Sequence, residues 1–284
     1  MKVYYEVLPD TLGRVMHRIN KEFKKYAPKE IVFVSSAKEA NLQILDSIGV
    51  GSIPHIKLNN YVLLQHCYIT TETPAAEFWI PHWQKAKLVS SYMDLPALIG
   101  RKDFNFLQIP VGVDSSIFYQ EHTNKVYQVM STGYVAETEC IAETLKAVKH
   151  NGGKMAHVGG DLFPNDKTCK HFENITDDEM RSLYNQSCYT IGMRRMEGFE
   201  VPLIEGTLCG ARGITLDYYT YRYWFGDLME YIQDGPPEYI TEQLIKLMSV
   251  PYRVVTQEEI NLVKEKFAWK RIAETFWNRV REVV

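Results

Sequence analysis

Two glutamates, Glu197 and Glu205, stand eight positions apart in the segment Met196-Glu197-Gly198-Phe199-Glu200-Val201-Pro202-Leu203-Ile204-Glu205-Gly206-Thr207-Leu208-Cys209-Gly210. A carboxylate offers two acceptor oxygens and can take hydrogen bonds from a pair of vicinal hydroxyls. Pro202 suits the first turn of a helix and Gly210 its end, so Pro202 to Leu208 is predicted to be helical. The amides of residues 200–203 would then point out of a helix N-terminus, where an anion is favoured. Gly198 would let the backbone come close to a ligand. Arg194 and Arg195 precede the block, and guanidinium forks suit phosphate. On spacing alone, two solvated glutamates beside an ordinary helix are the better reading.

The elements that must carry these residues read as strands alternating with helices. Strands are predicted over Lys2–Val7, Ile31–Val34, Leu42–Ile48, Tyr61–Cys67, Leu88–Ser90 and Phe104–Ile109. A helix is predicted over Leu12–Tyr26, where Val15, Ile19 and Phe23 recur four apart and Pro28 ends the run. Another falls over Trp79–Lys85. The alternation restarts after a turn-like stretch, Pro110 to Asp114, and a polar one, Gln120 to Asn124. Strands follow at Val126–Met130, Met155–Val158, Tyr189–Ile191 and Arg212–Thr215. Helices follow at Thr138–Lys149, Asp177–Asn185 and Ile240–Met248, with an amphipathic stretch from Glu258 to Val284. Such alternation predicts an α/β protein with parallel strands. A ligand is expected at the carboxyl ends of the strands, between two halves.

Composition narrows the classes further. The chain has 284 residues, 45% hydrophobic and 24% charged, with a net charge of −3. That is enough chain for one large domain or two ordinary ones with a real core. The charge argues against a globally basic nucleic-acid binder. Five dispersed cysteines without a CxxC suggest neither a disulfide framework nor a zinc site, and imply a reducing, cytoplasmic setting. No apolar run reaches membrane-spanning length. The first strand is not preceded by a leader-type apolar segment. No G-x-G-x-x-G follows it, which disfavours a dehydrogenase.

The segment from Met196 to Gly210 resembles the E-x7-E block of the retaining glycosyltransferase family four (glycosyl transferases group 1), whose typical form is Glu-Gly-Phe-Gly-x-Pro-x-x-Glu-Ala-x-Ala-x-Gly. Both glutamates, the Gly-Phe pair, the proline and the closing Cys-Gly are in register. Three further stretches follow the family's order: Ile109-Pro110-Val111-Gly112-Val113-Asp114 with Phe118, then Ser131-Thr132-Gly133, then Phe267-Ala268-Trp269 with Ala273. The resemblance implies a GT-B fold, with two Rossmann-like domains facing each other across a cleft. Residues 1–117 would form the acceptor domain and 118–267 the nucleotide-sugar domain, with the helix 268–284 packing back on the first. It implies a metal-independent transfer of a sugar from a nucleotide-diphosphate donor with retention, the nucleotide sugar being a co-substrate and no cofactor being needed.

By the same resemblance, Glu205 would hold the ribose and Glu197 would reach the transferred sugar. Gly198, Phe199, Glu200, Val201 and Pro202 would line the diphosphate, and Gly133 the start of the donor domain. His66, at a strand end, would be a second catalytic residue. Gly13 and Arg14 look like the family's glycine loop against the donor phosphate, though a simple turn glycine is an equal reading. The family's phosphate-binding arginine and lysine are replaced here by Tyr134 and Glu139. Arg194 or Arg195 is the candidate replacement cation, and a surface charge paired to an acid is the alternative.

Two other readings stay open. The lost cation pair suits a non-catalytic sugar-nucleotide binding protein. The aromatic run Tyr218–Phe225 and the lysine-rich end Lys21–Lys29 suit a glycosyltransferase acting on nucleic acid, against which the net charge argues. The lysine-rich end is otherwise a solvated face or a peripheral contact for anionic membranes. The acceptor, carbohydrate, lipid-linked or other, is not identified by the sequence.

Overall fold

The computed structural model describes residues 1–6, 13–48, 55–67, 73–133, 138–160, 166–195 and 199–284. Among the described residues, twelve strands fall into two sheets of six. The first sheet holds β1 (Lys2–Glu6), β2 (Val32–Phe33), β3 (Leu42–Ile48), β4 (Tyr61–Cys67), β5 (Leu88–Ser91) and β6 (Phe106–Gln108). The second holds β7 (Tyr127–Gly133), β8 (Met155–Gly159), β9 (Cys169–Phe172), β10 (Ser187–Gly192), β11 (Arg212–Leu216) and β12 (Met229–Ile232). The helices are α1 (Gly13–Lys25), α2 (Thr73–Lys85), α3 (Leu95–Ile99), α4 (Ile141–His150), α5 (Asp177–Asn185), α6 (Val201–Leu208), α7 (Tyr219–Phe225), α8 (Pro237–Met248), α9 (Gln257–Lys266) and α10 (Trp269–Val283).

Every strand pairing is parallel. The expected fold class, two parallel-sheet α/β domains, is therefore the observed one. One compact unit takes in residues 1–112 and 269–284 together with Phe199; the other takes in 113–195 and 200–268.

In the first unit the strand order is β2-β1-β3-β4-β5-β6, which reverses direction between β1 and β3. The central strands are mainly apolar in their first halves, with Leu42, Ile44, Leu45, Val62 and Leu63 all fully buried, and carry buried polar groups toward their carboxyl ends. This is the pattern of strands covered on both faces. α1 buries Met16, Ile19 and Phe23, spaced three and four apart. α10 buries Trp269, Ile272, Ala273, Phe276, Trp277 and Val280 in the same rhythm. The two helices meet through a stacked Phe23–Phe276 pair, centroids 4.5 Å apart. The Trp277 indole N–H donates to the Phe23 carbonyl at 2.8 Å. Gly112 is required where α10 starts, because a Cβ there would fall 2.4 Å from the Trp269 ring.

In the second unit the order is β12-β11-β10-β7-β8-β9, with the reversal between β7 and β10. α6 is apolar nearly all round and is buried accordingly. It lies hard against the sheet because Gly206 has no side chain: a Cβ there would sit 2.3 Å from the Thr190 methyl. Arg212, fully buried on β11, donates to Glu259 through both Nη atoms at 2.8 Å and to the carbonyls of Leu228, Arg253 and Val254. Glu259 also closes a capping box with Thr256 at the start of α9, so one ion pair ties β11 to a helix start.

Several expected elements change. The stretch from Glu258 to Val284 is two helices, broken at Phe267, whose carbonyl accepts the Val113 N–H at 2.9 Å. The aromatic run, weighed in the sequence for base stacking, forms the helix α7 after β11, with Tyr221, Trp224 and Phe225 buried and Tyr219 and Tyr223 exposed. α3, β9 and β12 are additions to the sequence reading. No helix among the described residues is long and apolar enough to cross a membrane.

Candidate functional site

The carboxyl ends of β7 and β10 flank the reversal of strand order in the second unit. That is where an open parallel sheet leaves a crevice for ligands. Gly133 ends β7 with φ +109°, a conformation that favours glycine. A Cβ there would lie 2.5 Å from Arg194 Nη2 and 2.6 Å from Glu139 Oε2. Arg194 follows β10, and its Nε lies 3.4 Å from Glu139 Oε2 and 3.5 Å from Glu200 Oε1. The Tyr221 hydroxyl anchors the Arg194 carbonyl at 3.0 Å. Gly133, Arg194 and Glu200, all singled out in the sequence, are thus brought together. Glu139 joins them; it stands where the resembled family has its lysine, and here it pairs with the arginine.

Glu200 is the N-cap of α6 and is buried. Its Cβ and Cγ pack where Gly192 leaves room, 2.8 and 2.7 Å from the position of a Cβ at residue 192. Val201 and Pro202 form the first turn. The expectation that the amides of residues 200–203 all face a ligand needs correction. Pro202 has no N–H, and the Leu203 amide donates to the Glu200 carbonyl at 3.2 Å. Those two positions therefore offer no amide to an anion.

One turn further along α6, Glu205 is 5% exposed and accepts a hydrogen bond from the buried Tyr184 hydroxyl at 3.1 Å. Tyr184 packs edge-on to Phe118. Arg195 takes a different course from Arg194: its Nε lies 2.9 Å from Asp234 Oδ1 and its Nη2 donates to the Gly235 carbonyl. Of the two candidate cations, only Arg194 lies beside Gly133. Glu197 and Gly198 lie outside the described residues, as does Tyr134. Phe199 belongs with the first unit, its ring 6.0 Å from that of Tyr92.

His66 lies near the carboxyl end of β4. Its Nε2 is 3.0 Å from Asp46 Oδ1, an oxygen that also accepts from the Tyr5 hydroxyl at 3.4 Å. Asp46 is fully buried. Burial pushes its carboxyl above the usual carboxylate range, against the pull of the hydrogen bonds from His66 and Tyr5. The Tyr92 hydroxyl donates to the His66 carbonyl. His66, Ser90, Ser91 and Tyr92 line a cavity of about 20 Å³ with Ile109 and Trp269. Gly13 is the first residue of α1 rather than a loop residue, and the Arg14 side chain lies outside what the structure describes. Asp46, Tyr5 and Tyr92 were missed in the sequence; an acidic residue inside the apolar run Leu42–Ile48 was the available signal. Among the described residues no cluster of His, Cys, Asp and Glu has the form of a metal site.

No protein-family model matches the chain, and no curated protein is similar to it by sequence. Solved structures do match. Anabaena HepE, determined in complex with UDP and glucose, superposes with a TM-score of 0.74 at 12% identity, over 99% of this chain and 100% of that one. The pneumococcal O-GlcNAc transferase GtfA, in complex with UDP and GlcNAc, gives 0.68 at 13% identity over 95% of this chain and 60% of that one. TarM gives 0.65 at 14% identity over 84% of this chain and 54% of that one. The fold is that of the GT-B glycosyltransferases. The chain spans little more than half the length of GtfA and TarM.

Proposed function

We propose that the protein is a glycosyltransferase that moves a sugar from a nucleotide-diphosphate donor to an acceptor hydroxyl. The observation that carries this is the convergence of Gly133 and the start of α6 on Arg194, with the buried carboxylate of Glu205 one turn further along the same helix. HepE, which shares the fold over its full length and was determined with UDP and glucose, supports the reading. Glu205 would accept from the ribose hydroxyls. The amides of Glu200 and Val201 and the Arg194 guanidinium would meet the diphosphate. Glu197 and His66 would face the transferred sugar.

In the transfer, the acceptor oxygen bonds to the anomeric carbon as that carbon's bond to the diphosphate oxygen breaks. The electron pair leaves with the diphosphate, and the acceptor proton is passed to it on the same face, which retains configuration. Positive charge placed against the leaving diphosphate and close placement of the reactants are what the protein contributes. The reading belongs with the retaining family four, and it needs no metal.

A second reading has an observation of its own. Arg194 is shared between Glu139 and Glu200, which lessens the charge it can offer a diphosphate, and a sugar-nucleotide binding protein without turnover would tolerate that. One experiment separates the two: UDP-glucose is incubated with the protein and UDP release is followed, alongside Glu197→Ala. Release by the wild type that is lost in the variant, with UDP-glucose binding kept, supports the transferase. Binding without release supports the binding protein.

A further inference from the structure

Asp46 has no role in the site as the sequence defined it, yet its surroundings are unusual for a carboxylate. It is fully buried on β3 beside the reversal of strand order in the first sheet. Its Oδ1 takes both Tyr5 from β1 and His66 from β4, and its Oδ2 has no hydrogen-bond partner among the described residues. A carboxylate with this little compensation is a poor stabiliser, since burying it costs more than two such contacts return. Polar groups kept at a cost to stability belong to function more often than to packing.

An ionised carboxylate can only accept. The His66 nitrogen facing it must therefore carry the proton, which leaves the other nitrogen with a lone pair. We propose that Asp46 is a positioning residue that holds His66 in the Nε2–H tautomer, so that Nδ1 is presented as the acceptor for a substrate hydroxyl. This rests on the reading of His66 as part of a glycosyl-transfer site. The backbone is held as well as the ring: the Tyr92 hydroxyl grips the His66 carbonyl. The other titratable groups facing Asp46 and His66 are Tyr5 on β1, His17 and Lys24 on α1, and Tyr92 after β5. Asp46 Oδ1 is the acceptor placed at hydrogen-bond distance from the ring, 3.0 Å from Nε2.

The test uses the full chain labelled with 15N-histidine, with His66→Gln to assign the ring signals. Two-bond proton–nitrogen spectra of the wild type should show a protonated Nε2 and a bare Nδ1 on His66. Asp46→Asn keeps the shape but offers the ring an amide that can donate as well as accept, so both tautomers of His66 should become populated. Asp46→Leu should release the ring into both tautomers; if that variant does not fold, the isosteric Asn variant carries the test. A protonated Nδ1 in the wild type, or an unchanged tautomer in both Asp46 variants, would overturn the proposal. Release of UDP from UDP-glucose provides a separate arm, in which kcat should fall at least about tenfold in Asp46→Asn with KM little changed. A kcat that stays at the wild-type value also overturns the proposal. A wild-type protein that neither binds nor cleaves the common sugar nucleotides contradicts the transferase reading instead, while the ring spectra still decide the role of Asp46.

Discussion

The Arg194 guanidinium and the Gly133 backbone are packed so closely that the smallest side chain at residue 133 would strike the arginine, 2.5 Å from Nη2. Gly133→Ala must therefore both adopt an unfavourable positive φ and displace Arg194. It should cost about 1–3 kcal/mol in stability, measured by denaturant unfolding, and weaken sugar-nucleotide binding more than it weakens the fold.

Arg194 itself is the test of the replacement cation. Arg194→Ala should reduce UDP-glucose affinity by about tenfold or more, read by calorimetry, because it removes a charge-assisted contact to phosphate. Arg195→Ala should change affinity little, since Arg195 is engaged by Asp234 and Gly235. Equal losses in the two variants would contradict the assignment.

Much of this arrangement was legible in the sequence, for identifiable reasons. The bounds of β3 and β4 follow from apolar runs covered on both faces, Leu42–Ile48 and Tyr61–Cys67. β9 was missed because Cys169-Lys170-His171-Phe172 is a short edge strand with no fully buried residue. α7 was missed although its buried positions Tyr221, Trp224 and Phe225 have helical spacing; the density of aromatics hid the period. At the site, the sequence shows that Glu139 replaces a lysine but not that Arg194 turns toward it. That pairing depends on β7 and β10 being neighbours in the sheet although far apart along the chain. Asp46 and His66 are likewise joined only by the register of β3 against β4.

His157 supplies a pH dependence. It is fully buried on β8, paired through Nδ1 with the Ser131 hydroxyl at 2.8 Å and stacked on His171. Burial first, and the His171 charge second, push its pKa down to about 4. A histidine harder to protonate when folded contributes fully above its unfolded value near 6.5, and that contribution is lost as pH falls from there toward 4. The loss should reach roughly 3 kcal/mol. Unfolding measured between pH 7 and 4 should show this slope, and His157→Gln should flatten it. A wild type equally stable at both ends would contradict it.

Arg212 should be among the most sensitive positions in the second unit. Arg212→Met removes both guanidinium bonds to Glu259, leaving it to Arg253 and the Thr256 amide, and takes the Arg212 donor from three carbonyls; it should cost about 3–5 kcal/mol by urea unfolding. The Glu259 carboxyl lies below its usual range: burial opposes this, but the Arg212 hydrogen bonds, the Thr256 amide and the Arg253 charge outweigh it. Its contribution is present above the unfolded carboxylate value and lost as pH falls through the lower folded one. The acid sensitivity of the second unit should therefore lessen in Glu259→Gln.

The central claim is that α6 and Glu205 form the binding site for a nucleotide sugar. Thermal unfolding in the presence of UDP-, GDP-, ADP- and TDP-sugars, on the wild type and Glu205→Ala, tests it most directly. At about 100 times the dissociation constant, the matching donor should add roughly 2.7 kcal/mol of stability and raise Tm by a few degrees, and the variant should show no such rise. No shift with any of the four, or an equal shift in Glu205→Ala, would contradict the account.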